Sequence, residues 1–226
     1  MRSEVRMSVN PLAEFMSASD AKKNSIIKSQ KNPSTFRVSW YVKSKSAMTK
    51  FYKNPEDTTI LEEVLEELKA QKTQTNWQHL NRKGSIDLLE RFITMKVPSA
   101  LKRDGIDFIK TKKRDFKYQG VVLIADPNLI FKVRRGDKWH YGAVKFHTSK
   151  TGKFDRSKSR KVATLLMMYL RSFVSVEDPD ALVDPSMCLC VDVFSGTITT
   201  APSDSAKIES EISKACKDII KFWDAA

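Results

Sequence analysis

The stretch from Gly120 to Thr148 constrains the fold more than any other. Gly120–Ala125 is a short, continuous apolar run, the pattern of a strand buried on both faces. Asp126-Pro127-Asn128 breaks it. Leu129–Val133 reads as a second strand, Arg135-Gly136-Asp137 as a turn, and Trp139–Thr148 as a third strand, which together predict an antiparallel hairpin. A sheet this apolar has to be covered, so helices are expected against it.

Helical periodicity supplies the cover. Leu12, Phe15 and Met16 sit at i, i+3, i+4, and with Ile26 and Ile27 they predict a helix over Pro11–Gln30, with Ser19 or Asp20 as a cap inside it. Phe36–Phe51, with Trp40, Tyr41, Met48 and Phe51, predicts a second. Thr59–Lys72 is the clearest: Leu61, Val64, Leu65 and Leu68 line one side, and Glu62, Glu63, Glu66 and Glu67 the other. Ser85 reads as the cap of a helix over Ile86–Met95, closed by Pro98. Beyond the hairpin, Ser157–Phe173 predicts a helix, Met187–Phe194 and Thr197–Thr200 two more strands, and Ser205–Trp223 a last amphipathic helix. The expected class is therefore α+β. A helical part over 1–100 precedes a small mixed sheet over 101–226 (antiparallel meander, crossover helix, further strand), flanked by helices. No flexible linker interrupts the chain, so 1–226 is expected to form a single domain.

Several functional classes fall away. With seven glycines, neither a GxGxxG nor a Walker A pattern occurs. Three histidines, none in a nucleophile motif, make a catalytic triad hard to build. Cys188, Cys190 and Cys216 lack CxxC spacing or neighbouring His ligands, so free buried thiols are expected rather than zinc. Apolar runs are too short for a membrane span, and Met1–Phe15 has no apolar signal core. A cytoplasmic protein without membrane contact is expected.

Charge points to a partner. Forty Lys+Arg against 27 Asp+Glu give a net charge of +13, which attracts polyanions. Between Lys132 and Lys161 the basic residues are Lys132, Arg134, Arg135, Lys138, Lys145, Lys150, Lys153, Arg156, Lys158, Arg160 and Lys161, against Asp137 and Asp155 alone. Such a block suits a phosphate backbone. Nucleic acid is the expected partner, DNA ahead of RNA, with Arg134, Arg135, Lys150, Lys153, Arg156, Lys158 and Arg160 as candidate contacts. The helical first hundred residues, with their acidic stripe, are the candidate surface for a protein partner or a second copy.

One lysine stands out. Side chains alternate along a strand, so Trp139, Tyr141, Ala143, Lys145 and His147 share a face. Lys145 is a charge among apolar neighbours, costly unless paired or functional. Asp126 is expected near it across the hairpin.

This arrangement of strands, crossover helix, Asp126 and Lys145 resembles the PD-(D/E)xK nuclease superfamily. The resemblance spans Ser85–Phe194 and implies a Mg²⁺-dependent phosphodiester hydrolase. It makes Ile86–Met95 the first core helix with Glu90 as its acid, Asp126 the motif Asp that shares the metal, and Lys145 the lysine that steadies the attacking water. Asp192 lies on the later strand. Ala143 stands where the (D/E)-x-K acid belongs and cannot bind a metal. The motif order is Asp-Pro, and aligning Pro127 with the family proline puts Asn128 on the Asp position. Asp155 or His147 would have to replace the missing acid. The alternative is a scaffold without catalysis that binds nucleic acid or a protein.

Overall fold

In the computed structural model, which describes residues 4–33 and 40–225, the strands are β1 (Arg6–Ser8), β2 (Ile106–Ile109), β3 (Asp115–Tyr118), β4 (Val121–Ile124), β5 (Leu129–Arg135), β6 (Lys138–His147), β7 (Leu182–Asp192) and β8 (Thr197–Thr200). They divide between two sheets: β2-β5-β6-β7-β8, and a smaller β1-β4-β3. The helices among the described residues are α1 (Val9–Phe15), α2 (Asp20–Lys31), α3 (Val42–Lys53), α4 (Thr59–Ala70), α5 (Asn76–Ile93), α6 (Arg156–Glu177) and α7 (Ala206–Ala225). The class is α+β, as expected.

The hairpin forms as its sequence predicts. Arg135 pairs with Lys138 across Gly136-Asp137, and Gly136 takes φ +59°, which costs glycine nothing. Helix α6 then carries the chain to β7, which lies parallel to β6 and antiparallel to β8. Gly142 is required by close approach: a Cβ there would stand 2.6 Å from Met187 and 2.7 Å from Phe131.

The meander is corrected in one respect. Val121–Ile124 does not join the hairpin; it pairs with β1 and β3 in the other sheet. The third antiparallel member is β2, which pairs with β5. The physical cause is the break after Ala125. Asp126 adopts φ +39° and Pro127 has no amide to donate, so the chain leaves one sheet and enters the next.

Two apolar layers cover the five-stranded sheet. Phe131, Val144, Phe146 and Val191 pack against Met48, Tyr52, Leu88, Leu89 and Phe92 of α3 and α5. On the other face, Ile130, Tyr141, Ala143, Cys188 and Cys190 meet α1, α6, α7 and the small sheet. Helix α6 lies in the middle of that layer, and Val162 to Leu170 are buried all round it. All three cysteines are free and buried. No helix among the described residues is long and apolar enough to cross a membrane.

Other boundaries move for local reasons. The helix expected over Pro11–Gln30 is two helices, α1 and α2, with Ser19 at the start of the second. Ser85 is not a cap: it is buried in the middle of α5, whose true start is Thr75 in a capping box with Gln78. The helix expected over Phe36–Phe51 begins at Val42, and the 36–39 part of that expectation lies outside the described residues.

Candidate functional site

Lys145 sits near the C-terminal end of β6, where the β4–β5 connection crosses it. Asn128 staples that connection down. Its backbone N–H donates to the Val144 carbonyl and its Oδ1 accepts from the Phe146 N–H, both at 2.8 Å. Asn128 is thereby a structural residue with its carbonyl oxygen already engaged. Asp126 is held in turn by its N–H, which donates to the Arg114 carbonyl at 2.9 Å.

The Lys145 ammonium donates to the Asp126 backbone carbonyl and lies 3.8 Å from Asp126 Oδ2. Arg114 Nη1 approaches Asp126 Oδ1 at 3.1 Å. The Lys145 side chain is only 16 % exposed, whereas the Asp126 side chain is 47 % exposed, so the acid faces water and the lysine does not. Burial pushes the Lys145 pKa down to about 8; Asp126 opposes this, and the Lys45 charge adds to it. Burial also lowers Lys45, again against the pull of Asp126.

A cleft of about 210 Å³ opens beside Asp126, lined by Lys53, Lys110, Lys113 and Arg114 together with Pro127 and Asn128. With Lys45 and Lys145, six cations stand at or beside this cleft. Arg114 and Lys145 bridge to the Asp126 carboxylate and Lys45 feels its charge, while the Lys53 ammonium lies over the Phe108 ring and that of Lys113 donates to the Ser172 carbonyl at 3.3 Å. They come from α3, from the β2–β3 connection and from β6. Five of them, Lys45, Lys53, Lys110, Lys113 and Arg114, were not foreseen from sequence. The run Lys110-Thr111-Lys112-Lys113-Arg114 carries a readable signal, but nothing local ties it to Asp126.

The structure brings Asp126 and Lys145 together and leaves the other candidate residues elsewhere. Glu90 is exposed on α5, and the cation it acts on is Lys69 of α4. It misses the site because Leu88, Leu89 and Phe92 pack α5 on the Val144 and Phe146 face of the sheet, whereas Lys145 alternates onto the other face. Arg134 and Arg135 lie at the hairpin tip, roughly 20 Å from Lys145 at the usual strand rise. Arg134 stacks over Trp139, and Arg135 bridges Asp184. Lys150 bridges Asp87 at 2.7 Å. Lys153 is exposed, Arg156 and Arg160 line a shallow depression beside β8, and Lys158 lies in the first turn of α6. Asp155 is the N-cap of α6, accepting from the Lys158 N–H at 2.8 Å. Asp192 is fully buried and accepts from the backbone N–H groups of Phe154, Phe194 and Ser195. Both acids are committed to structure.

These residues do not fit Mg²⁺. The cation favours several oxygen ligands, usually including carboxylates. Here Asp126 is the single acid, already shared between Arg114 and Lys145, and Ala143 occupies the second acid's place. Among the described residues, no three His, Cys, Asp or Glu converge to hold a metal. The cations that line the cleft suit an anion better than a metal cation.

A second, wider pocket lies beyond Lys45. Its wall includes Asn10, Glu14, Trp40, Tyr41, His147 and Lys150. His147 is 4 % exposed, stacks on Phe154 with ring centroids 3.5 Å apart, and places Nε2 2.7 Å from the Gly152 carbonyl. Burial lowers its pKa against that hydrogen bond and the nearby Asp192 and Glu14 charges.

In comparisons with known proteins, no family model matches the chain and no curated protein is significantly similar to it.

Proposed function

We propose that the chain binds nucleic acid through its phosphate backbone, at the cleft around Asp126, without hydrolysing it. The observation that carries this reading is that Arg114, Lys145 and Lys45 act on one half-exposed carboxylate, at a cleft that Lys53, Lys110 and Lys113 also line. Asp126 orients Arg114 and Lys145 while the cleft is empty of phosphate. A phosphodiester entering beside it accepts from the Arg114 guanidinium, whose planar fork suits two phosphate oxygens. It also helps to hold the charge on Lys145, because a new anion offsets the burial that lowers that lysine's pKa. A backbone read in this way carries no base information.

The hairpin, the α6 crossover and the parallel β7 support a scaffold like that of PD-(D/E)xK nucleases. Ala143 and the remote Glu90 favour the binding module over the hydrolase. The test is fluorescence anisotropy of labelled single- and double-stranded oligonucleotides in EDTA over a range of salt. Binding should persist in EDTA, with log affinity falling linearly against log salt. Affinity that requires Mg²⁺, or strand cleavage lost in Lys145→Ala, would reverse the assignment in favour of the nuclease.

A further inference from the structure

The pocket beyond Lys45 has chemistry that phosphate contacts do not explain. His147 Nε2 faces the Gly152 carbonyl, so that nitrogen carries the proton and Nδ1 keeps its lone pair. Among the described residues, His147 Nδ1 is buried with no hydrogen-bond partner. Asn10 spends its amide N–H on the Phe146 carbonyl at 3.5 Å, and its Oδ1 is likewise buried and unpartnered. Both residues line the same pocket, and Glu14 adds a carboxylate. Buried acceptors left open in this way call for a donor.

Around these acceptors stand an aromatic wall and a cationic rim. Tyr41 is fixed in place: its backbone is left-handed at φ 61°, its N–H donates to Asn81 Oδ1, and its ring packs so closely that a Cβ on Gly84 would lie 2.9 Å from it. Trp40 abuts it with ring centroids 5.7 Å apart. Lys22, Lys45 and Lys150 complete the wall, and Lys45 also faces Asp126.

We infer that this pocket takes the base of one nucleotide, selecting a base with an exocyclic amine over thymine or uracil. The inference rests on the phosphate-binding reading of the adjoining cleft. The base stacks on Trp40, which Tyr41 meets edge-on at 70°, as bases do on rigid aromatic platforms. Its amino group donates to the open acceptors of Asn10 and His147, and the attached phosphate lies on Lys45. Thymine and uracil present carbonyl oxygens where the amine would be, and two acceptors then face each other without a proton between them.

The experiment compares labelled dA8, dC8 and dT8 in EDTA at one salt concentration. The expected result is dA8 and dC8 binding at least about fivefold tighter than dT8, the scale of one good base contact. Asn10→Leu should narrow that ratio to under about twofold. Equal affinities, or a preference for dT8, in the unaltered protein would overturn the inference and leave the cleft reading standing. No binding by any of the three would overturn the inference, and no binding of a labelled duplex besides would overturn the cleft reading as well. The unaltered protein decides the question even if the variant fails to fold.

Discussion

The ammonium of Lys145 donates to the backbone carbonyl of Asp126 and stands 3.8 Å from its carboxylate, on which Arg114 closes at 3.1 Å from the other side. One acid thus preorganises two cations of differing exposure. Lys145 is nearly enclosed and Arg114 is 70 % exposed. Their roles in binding should separate accordingly.

Arg114→Met removes an exposed backbone contact. Affinity should fall about equally for all sequences, and the slope of log affinity against log salt should flatten by about 1. Lys145→Met should weaken binding as well. It also frees Asp126 from one partner, so Asp126→Asn in that background should recover part of the loss. Anisotropy titrations of the single and double variants measure the coupling.

Binding should weaken as pH rises from 7 to 9. The charged form of Lys145 attracts phosphate, and its pKa in the folded protein is about 8. Stability should move the other way. With the folded pKa below the usual 10.5, the unfolded chain binds more protons between pH 8 and 10.5, so this residue's share of stability rises across that window. Lys145→Met should flatten both profiles. Urea titrations and anisotropy over the pH series provide the comparison.

How far such a site can be read from sequence depends on its reach along the chain. Asp126 and Lys145 are nineteen residues apart on adjoining elements, so strand alternation and a tight turn were enough to pair them. Lys45 and Arg114 arrive through helix packing and a sheet edge, and periodicity holds no record of either. Glu90 shows the reverse failure. Its helix is legible, but Leu88, Leu89 and Phe92 seat that helix on the Val144 and Phe146 face, opposite Lys145, and periodicity does not say which sheet face a helix covers. Charge counting located a basic block but not its fate. Arg135, Lys150 and Lys161 are bridged to Asp184, Asp87 and Glu211.

Residues placed away from the cleft should be nearly silent. Glu90→Gln and Arg134→Ala should each change oligonucleotide affinity by less than about twofold, since charges far beyond a Debye length are screened at physiological salt. A fall of tenfold or more for Glu90→Gln would restore that acid to the site.

Asp192 should prove structural. Asp192→Ala leaves the buried N–H of Phe154 and that of Phe194 without acceptors and loosens Ser195, a loss of about 3–5 kcal/mol. The urea midpoint should drop accordingly, and the loop at Gly152–Phe154 that supports His147 should become protease-sensitive. An unchanged midpoint would show that Asp192 is not what holds this loop.

The central claim is that the cations around Asp126 bind phosphate. It is tested most directly by a salt titration of a labelled oligonucleotide, in EDTA, against the unaltered protein and a Lys45→Met, Arg114→Met, Lys145→Met variant shown to be folded by circular dichroism. The expected result is a steep linear fall of log affinity with log salt for the unaltered protein. For the variant, the slope should be shallower by about 2 to 3, with affinity at least about a hundredfold lower at low salt. Equal slopes and affinities for the two proteins, or no binding by either, would contradict it.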